Sequence, residues 1–487
     1  MVNTDLLGIL PEIVVILGGL ILLILPWVRS ARLSGFLTLS ILAAAFDLKL
    51  IQWVQQPASP RLFYGMLLQD RFSLFFQILL LASMGLVVLS VMGYARQEKR
   101  HLRELYVLLL LTTGGLMLVV GAQHLALVYL GLEMISLLSY LLTGFLKKES
   151  LSIEGGLKYF LFGSLATGTM LYGISLVYGL TGTMDLPSLT NRFQHVITEA
   201  PLLASISLLL LLIGFGFKMA LVPFHMWAPD AYEGAPTPVA AFLSVGPKLA
   251  GFAVLTRVFL IGISPQITFW PQLLGLLSVL TMTIGNLIAL VQTNVKRLLA
   301  YSSIAHAGTM VIGFAVATPL GLTATLYYLI AYTLMNLGAF VGLIAVGNAS
   351  GREDLGAFAG LSQREPLLAF TITVSLLSLA GIPPLAGFFA KMWIFGAAIQ
   401  SKAFGLAIVA ALNSVIALFY YVKIIKTMYL DPVPAGARPI PRSKSLGLVL
   451  GLCTLGLFLI GLWPGFWLTL SGSVVPLPLK PGDLPWL

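Results

Sequence analysis

The sequence predicts an all-α polytopic membrane protein with about fourteen transmembrane helices. Of its 487 residues, 58% are hydrophobic and only 9% are charged, whereas a soluble domain carries roughly a quarter charged residues. Apolar stretches of about 17–25 residues, the length of a membrane-spanning helix, recur from one end of the chain to the other. The connections between them are short and rich in Pro, Gly or Asp, which excludes a large soluble domain.

Each predicted helix follows the previous one after a short connection. The predicted spans lie near 6–26, 33–55, 73–93, 105–121, 124–146, 157–180, 201–222, 238–262, 269–291, 298–318, 321–347, 366–398, 403–429 and 446–471. The turn between the fourth and fifth helices consists of little more than "GAQH" (121–124). The segment before the first span, "MVNTD", has no basic residue, so we expect a membrane helix there and not a signal peptide.

The basic residues between the spans predict the orientation in the membrane. The net charge is +10 at pH 7, and Lys and Arg are concentrated in alternate loops. One side carries Arg29, Arg32, Arg96, Lys99, Arg100, Arg103, Lys147, Lys148, Lys296, Arg297, Arg352, Arg364, Lys423, Lys426, Arg438, Arg442 and Lys444; the other carries Arg61, Arg71, Arg192, Lys402 and Lys480. Because basic loops stay in the cytoplasm, we predict that the first side is cytoplasmic and that both termini lie outside. The basic excess therefore reflects topology and not nucleic-acid binding.

Several charged residues lie inside the predicted helices, where a charge near the bilayer centre costs about 2.5–3.5 kcal/mol. Lys218, Lys248 and Lys391 are too far from the helix ends to reach water. Glu133, in "VYLGLEMISLLSYLLTGF", is the clearest acid of this kind. Such residues usually face a polar interior, so we expect these four to be functional.

Three further basic residues lie closer to the ends of their spans. Lys49 and Arg257 are expected to extend along the helix and place their charges at the membrane interface. Lys158 lies near the start of its helix, and its position fits either the same behaviour or a role in a proton relay.

Two of the buried lysines adjoin prolines that interrupt a helix. Pro223 follows Lys218, and Pro383 and Pro384 precede Lys391. A proline inside a membrane helix removes a backbone hydrogen bond, which is tolerated where neighbouring groups or a water-filled cavity replace it. Paired broken helices are typical of ion transporters built from inverted repeats. The broken helices are the seventh and twelfth, so we predict two inverted five-helix repeats, helices 4–8 and 9–13.

The predicted repeats divide the chain into four parts. These are an N-terminal three-helix segment (1–100), a first repeat (101–265), a second repeat (266–430) and a C-terminal loop with the last helix (431–487).

Other candidate chemistry is sparse. His306, in "KRLLAYSSIAHAGTMVIG", lies among small and hydroxyl residues, and histidine titrates close to neutral pH, which suits a proton carrier. The single cysteine, Cys453, lies in an apolar stretch, where it is expected to pack; one thiol cannot hold an iron–sulfur cluster. We find no metal-ligand spacing and no nucleotide-binding motif.

Three blocks of sequence resemble the antiporter-like membrane subunits of respiratory complex I. They are "GFGFKMALVPFHMWAPDAYEGAPTPVAAFLSVGPKLAGF" (214–252), "VKRLLAYSSIAHAG" (295–308) and "GIPPLAGFFAKMWIF" (381–395). The resemblance runs from about residue 70 to about residue 430, with the blocks in the family's order. The run "PDAYEGAPTPVAAFLSVGPK" is most similar to the N-type subunit, also called subunit 2. Lys391 departs from the M-type pattern, which has a glutamate there, and the long lateral helix of the L-type is not found.

The resemblance implies a role for each of these residues. Glu133 would be the carboxylate paired with Lys218. Lys218, Lys248, His306 and Lys391 would form a central hydrophilic axis for proton translocation, with Lys158 as a possible further member. Lys391 would lie near the proton exit or near the link to a neighbouring subunit.

The resemblance also implies a location and a set of partners. The chain would belong to the membrane arm of an NADH:quinone oxidoreductase in the bacterial inner membrane, beside M-type and small K-type subunits and in contact with lipid. It would carry no cofactor itself, and NADH, FMN, iron–sulfur clusters and quinone would be bound by partner subunits.

Three alternatives remain open. The chain could be a subunit of a multisubunit sodium/proton antiporter, although the run from Tyr232 to Pro236 favours complex I. It could belong to the ferredoxin-driven photosynthetic form of the complex, in a thylakoid membrane, although "AYSSIAHAG" is more similar to the respiratory form. The third alternative is a passive membrane scaffold. The intact set of buried charges argues against it, namely Glu133, Lys218, Lys248 and Lys391.

Overall fold

The computed structural model describes residues 2–25, 30–55, 60–94, 101–263, 270–437 and 439–476. Within these ranges the chain is helical almost throughout. The helices are α1 (Val2–Gly8), α2 (Leu10–Ile24), α3 (Ala31–Gln55), α4 (Arg71–Met92), α5 (Leu102–Val120), α6 (Leu125–Thr143), α7 (Ser150–Thr181), α8 (Leu186–Glu199), α9 (Pro201–Met219), α10 (Trp227–Gly234), α11 (Thr237–Leu255), α12 (Trp270–Val291), α13 (Val295–Ala315), α14 (Pro319–Ser350), α15 (Leu361–Arg364), α16 (Pro366–Ala380), α17 (Ala386–Gln400), α18 (Phe404–Tyr429), α19 (Lys444–Leu462) and α20 (Pro464–Ser473).

Non-α elements are few among the described residues. A two-stranded antiparallel hairpin pairs β1 (Arg61–Leu62) with β2 (Leu67–Leu68). A π-helical stretch, Thr256–Gly262, continues α11, and a 3₁₀ turn covers Leu355–Phe358.

The all-α membrane fold predicted from the sequence is confirmed. Twelve helices in the described ranges are long and apolar enough to cross a membrane, and α2 and α16 are shorter apolar helices. The total of fourteen spans remains a prediction. The predicted domain boundaries near residues 100 and 265, and the loop residues Arg29, Arg96, Lys99, Arg100, Arg438 and Lys480, lie outside the described residues.

Two segments differ from the sequence prediction. The last predicted span, 446–471, is interrupted at Trp463, where α19 ends and α20 begins with Pro464. The connection predicted over 181–200 contains the amphipathic helix α8, which buries Leu189 and Phe193 on one face. Because α8 has a polar composition, a search of the sequence for long apolar stretches does not detect it.

The helices form a bundle with a buried centre and an apolar exterior. α11, α13 and α14 are buried on nearly all sides, whereas α3, α7 and α18 lie at the edge. The edge helices expose large apolar side chains, such as Val54, Leu165 and Phe419. A helix that is apolar all round is suited to a protein core or to lipid. The polar candidate residues lie on or next to the central helices.

The first predicted helix break is present after Lys218. Helix α9 ends at Met219. The left-handed φ of 58° at the following Ala220 turns the chain, and the Leu221 N–H donates to the Gly216 carbonyl at 2.8 Å. This hydrogen bond closes a Schellman motif, a common helix C-terminus. A cis Val222–Pro223 bond follows before α10 begins.

The second predicted break has the same backbone design. Helix α16 ends at Ala380, the following Gly381 has a left-handed φ of 89°, and the Ile382 N–H donates to the Leu377 carbonyl at 3.0 Å. A cis Pro383–Pro384 bond follows before α17 begins. The predicted span 366–398 is therefore two helices joined by this turn.

Two loop contacts also correspond between the halves of the chain. The N–H groups of Leu125 and Val295, the first residues of α6 and α13, donate to the carbonyls of Met184 at 2.9 Å and Glu353 at 2.8 Å. Matching breaks and matching loop contacts are what an internal repeat predicts. The inverted arrangement of the two five-helix units stays a prediction.

The expectation that Lys49 reaches the membrane interface is wrong. Its side chain is fully buried, and Nζ lies 2.8 Å from Oε1 of Glu12 on α2. The amide of Gln77 donates to the same carboxylate oxygen at 2.8 Å. A partner on the preceding helix neutralises the charge, so the lysine does not need to reach water.

The same expectation is wrong for Arg257. Its side chain is also fully buried, and Nη2 lies 2.6 Å from Oδ1 of Asp70, while Nε donates to the Val120 carbonyl at 2.7 Å. Burial by itself would raise the pKa of Asp70, but the guanidinium charge and its hydrogen bond outweigh burial and hold that pKa below its usual value. This ion pair ties the start of α4 to the end of α11.

Candidate functional site

Lys218 lies in the last turn of α9, immediately before the break. Its side chain is buried, and Nζ donates to Oγ of Ser136 on α6 at 2.9 Å. The C-terminal end of a helix carries a partial negative charge, which favours a cation there. The indole N–H of Trp227 donates to the Phe217 carbonyl at 3.0 Å, which also accepts the Ala220 N–H at 3.1 Å. The turn that interrupts the helix thus also creates a favourable position for the lysine.

Glu133 does not make the expected direct ion pair with Lys218. Among the described residues, no carboxylate oxygen lies within 4.0 Å of Lys218 Nζ, and the polar partner of this nitrogen is Ser136. Glu133 is half-buried and lies three residues before Ser136, so the two share one face of α6. Any influence of Glu133 on the lysine therefore acts across space and not through a contact.

Lys248 is buried at the centre of the bundle on α11. Its Nζ donates to both the carbonyl and the hydroxyl oxygen of Ser303 on α13, and it lies 5.7 Å from the ring centre of Tyr332. The hydroxyl of Tyr332 donates to Oγ of Ser303 at 2.8 Å. The carbonyl and hydroxyl of Ser303 and the ring of Tyr332 together solvate the ammonium group, without a carboxylate from the described residues.

The close packing of α9 and α11 brings Lys218 and Lys248 onto facing helices. Gly251, on the same face of α11 as Lys248, has no side chain in this contact. A β-carbon at Gly251 would lie 2.9 Å from Cγ of Met219 and 3.9 Å from Cβ of Lys218. The glycine thus allows the helix that carries Lys248 to approach the end of α9.

His306 is buried on α13 between two tyrosines. Its Nδ1 lies 2.7 Å from the hydroxyl of Tyr328 on α14, and its Nε2 lies 3.1 Å from the hydroxyl of Tyr421 on α18. The Tyr421 hydroxyl is also hydrogen-bonded to Oγ of Ser302. Because tyrosine and serine hydroxyls can donate or accept, this cluster can adapt to either protonation state of the imidazole.

Lys391 is buried on α17, beyond the second break. Its Nζ donates to the carbonyl of Ala380 at 2.8 Å, the last residue of α16. This lysine therefore also stabilises the C-terminal end of a broken helix. Lys391 and His306 line one small cavity of about 10 Å³ together with Asn286, Asn413 and Tyr420. A polar cavity of this size has room for about one water molecule.

Lys158 lies apart from the buried lysines and His306. Its side chain is 39% exposed, and Nζ lies 2.6 Å from Glu154 and 2.8 Å from Asp230. Arg297 lies 2.6 Å from the other oxygen of Asp230. These contacts form a partly exposed charge network that links α7, α10 and α13, so Lys158 is neutralised there by carboxylates.

The sequence reasoning missed the hydroxyl partners of the buried groups. They are Ser136, Ser303, Tyr328, Tyr332 and Tyr421. The available signal was weak: Ser303 precedes His306 by one helical turn, and Tyr328 and Tyr332 are similarly spaced on α14. Such spacings are common in any helical protein. In the described part of the chain, no group of three or more His, Cys, Asp or Glu residues could hold a metal ion.

The four buried nitrogen groups have the same kind of polar partner. Lys218, Lys248, His306 and Lys391 each have a neutral oxygen as their nearest polar partner. Among the described residues, no carboxylate is in contact with any of these four groups. Loss of a proton from one of them therefore leaves no carboxylate without its counter-ion. The charge state of each group is therefore free to change in response to its neighbours.

Comparison with known proteins identifies the relatives of the chain. Residues 122–417 match the family described as NADH:quinone oxidoreductase/Mrp antiporter, TM. The chain belongs to this family of membrane subunits. Subunit N 2 of the NADH-quinone oxidoreductase of Sorangium cellulosum is 42% identical, with 92% of this chain and 94% of that protein covered. Such identity over nearly the full length makes this chain an antiporter-like membrane subunit of the N type.

Two solved structures share the fold. A chain of respiratory complex I from Thermus thermophilus matches with a TM-score of 0.80 and 33% identity, covering 95% of this chain and 99% of that chain. A chain of the Mrp complex from Dietzia matches with a TM-score of 0.85 at 22% identity, covering 98% of this chain and 97% of that chain. At that lower identity the likeness shows the fold alone.

Proposed function

We propose that this N-type subunit translocates protons through Lys218, Lys248, His306 and Lys391, with Glu133 adjusting the proton affinity of Lys218. One observation carries the proposal: four titratable nitrogen groups are buried in a membrane bundle, and each binds a hydroxyl or carbonyl oxygen. A structural role alone would favour tightly paired carboxylates, as at Lys49 and Arg257.

Electrostatic coupling between neighbouring groups is of the right size for this task. At an effective dielectric of about 20, charges 8 Å apart interact by about 2 kcal/mol. Moving one proton against 100 mV requires about 2.3 kcal/mol. A change of charge at one group can therefore load or release a proton at the next.

The energy would come from electron transfer elsewhere in the complex. Membrane-arm neighbours, including M-type and small K-type subunits, would transmit quinone reduction to this axis. NADH, FMN, iron–sulfur clusters and quinone would be bound by partner subunits. The location would be the bacterial inner membrane with both termini outside, or a thylakoid membrane for a photosynthetic form.

The test is Lys218→Ala in the intact complex in membrane vesicles, with assembly checked on native gels. We expect proton pumping and coupled quinone reduction to fall together by about tenfold or more, equivalent to at least 1.4 kcal/mol. Lys423→Ala is the matched control, since Lys423 is exposed on α18. An assembled Lys218→Ala complex that pumps at the control rate would rule out this lysine as a proton carrier.

The same vesicles separate complex I from the sodium/proton antiporter alternative. NADH-driven quinone reduction coupled to acidification supports the proposed function. Sodium/proton exchange in vesicles without any electron donor would favour the antiporter.

A further inference from the structure

A large cavity lies outside the proposed proton axis, between the ends of four helices. Its volume is about 1340 Å³, and it is bordered by the N-terminal parts of α3, α5 and α19 and by the end of α4. In the predicted topology these ends lie on the cytoplasmic side of the membrane. The proposed function uses none of the side chains in this cavity.

The walls of the cavity are apolar. They include Phe36 and Leu39 of α3, Leu89 and Met92 of α4, and Leu448 of α19. Phe36 is 59% exposed and Leu448 is 52% exposed, so the apolar wall continues onto the outer surface of the bundle. In a membrane, an apolar recess that opens sideways is accessible to lipid acyl chains.

The charged side chains that line the cavity are all basic. Arg32, Arg442 and Lys444 line it and are all exposed. Among the described residues, Arg32 and Lys444 have no carboxylate within 4.0 Å, and Arg442 is 3.7 Å from Glu365 with a side chain that is 89% exposed. Three cations thus line one cavity, and none of them is tightly bound to an anion among the described residues.

Hydroxyl groups accompany these cations. Ser30, Ser443 and Ser445 line the cavity, and Ser443 caps the start of α19. The long helices α3 and α19 also begin here, and helix N-termini favour phosphate. Cations, hydroxyl donors and an apolar recess match the three parts of a phospholipid: phosphate, glycerol headgroup and acyl chain.

We propose that this cavity is a binding site for an anionic phospholipid of the cytoplasmic leaflet. The phosphate would lie among Arg32, Arg442 and Lys444, and an acyl chain would lie along Phe36 and Leu89. A zwitterionic lipid would gain less from the three cations, and an uncharged quinone would gain nothing from them. Basic pockets between membrane helices on this side of a membrane are suited to acidic headgroups.

The experiment compares lipid retention by the intact detergent-purified complex, using native mass spectrometry during titration with phosphatidylglycerol or phosphatidylcholine. One variant combines Arg32→Gln, Arg442→Gln and Lys444→Gln. Each basic residue near an anionic headgroup strengthens binding about fivefold, so the affinity for phosphatidylglycerol should fall on the order of 100-fold. The matched control combines Lys147→Gln, Lys423→Gln and Lys426→Gln, which removes three exposed cations elsewhere on the predicted cytoplasmic side.

A second variant, Leu39→Trp, fills the apolar recess and keeps every charge. It should also lose phosphatidylglycerol, which distinguishes a lipid site from a surface that attracts any anion. Equal retention of the two lipids by the wild type would overturn the proposal. The proposal would also be overturned if the triple variant retained phosphatidylglycerol with an affinity within about twofold of that of the control variant. These readouts do not depend on proton pumping, so the site can fail while the proposed function stands.

Discussion

Gly381 lies directly against Lys391. A β-carbon at Gly381 would be 2.9 Å from Cδ of Lys391 and 3.4 Å from its Nζ. The glycine also has a φ of 89°, in the left-handed region that other residues adopt at a cost. The turn that ends α16 therefore also shapes the space in which the Lys391 side chain lies.

Gly381→Ala should displace Lys391 and reduce proton pumping. The left-handed backbone adds about 1–2 kcal/mol of strain, and the added methyl group pushes the lysine away from the Ala380 carbonyl. Pumping in vesicles and thermal stability of the complex measure the two effects. Gly396→Ala is the matched control on α17, because a β-carbon there meets nothing within 4 Å. It should leave pumping unchanged, and an equal loss in both variants would contradict the specific contact.

Ser136→Ala should remove the hydrogen bond that the Lys218 ammonium group donates to Ser136. A hydrogen bond to a charged group contributes about 1.5–3 kcal/mol, so the protonated form of Lys218 loses stabilisation of that order. We expect slower pumping by assembled complexes in membrane vesicles. The control is Ser207→Ala on α9, whose buried hydroxyl donates to the Ala204 carbonyl at 2.8 Å. A Ser136→Ala pumping rate equal to that of the control would show that Ser136 does not act on the lysine.

Asp70→Asn should destabilise the subunit strongly. Removing one partner of a buried ion pair leaves Arg257 without a counter-charge, which typically costs about 3–5 kcal/mol. Thermal unfolding measures the loss, and adding Arg257→Met should recover much of it. A double variant less stable than Asp70→Asn alone would argue against an unpaired charge as the cause.

The same ion pair predicts a pH dependence. The pKa of Asp70 is lowered in the folded state, so its contribution to stability is complete above the unfolded pKa of about 3.9. Stability is lost as the pH falls from there through the lower folded pKa. Asp70→Asn should remove this part of the acid sensitivity, and an unchanged acid transition would contradict the assignment.

Lys158→Gln distinguishes the two interpretations that the sequence leaves open. Because Lys158 is partly exposed and neutralised by Glu154 and Asp230, we expect a much smaller loss of pumping than in Lys218→Ala. Parallel pumping assays on assembled complexes make the comparison. A loss as large as that of Lys218→Ala would place Lys158 in the proton path.

The fold class and the main candidates follow from the sequence, because each depends on a local physical cost. Long apolar stretches must be buried or face lipid, and a lysine deep inside one of them needs a polar neighbour. A proline inside such a helix interrupts it. These rules found the membrane fold, Lys218, Lys248 and Lys391, and both broken helices.

Only the tertiary structure shows which groups contact the buried basic side chains. Lys49 and Arg257 were expected at the interface, yet Lys49 is paired with Glu12 on the preceding helix, and Arg257 is paired with Asp70, 187 residues earlier in the chain. Lys218 binds Ser136 where Glu133 was expected, and Lys248 binds Ser303. The free-energy cost of burying a charge can be recognised from the apolar sequence around it. Which partner offsets that cost depends on how the helices pack against one another.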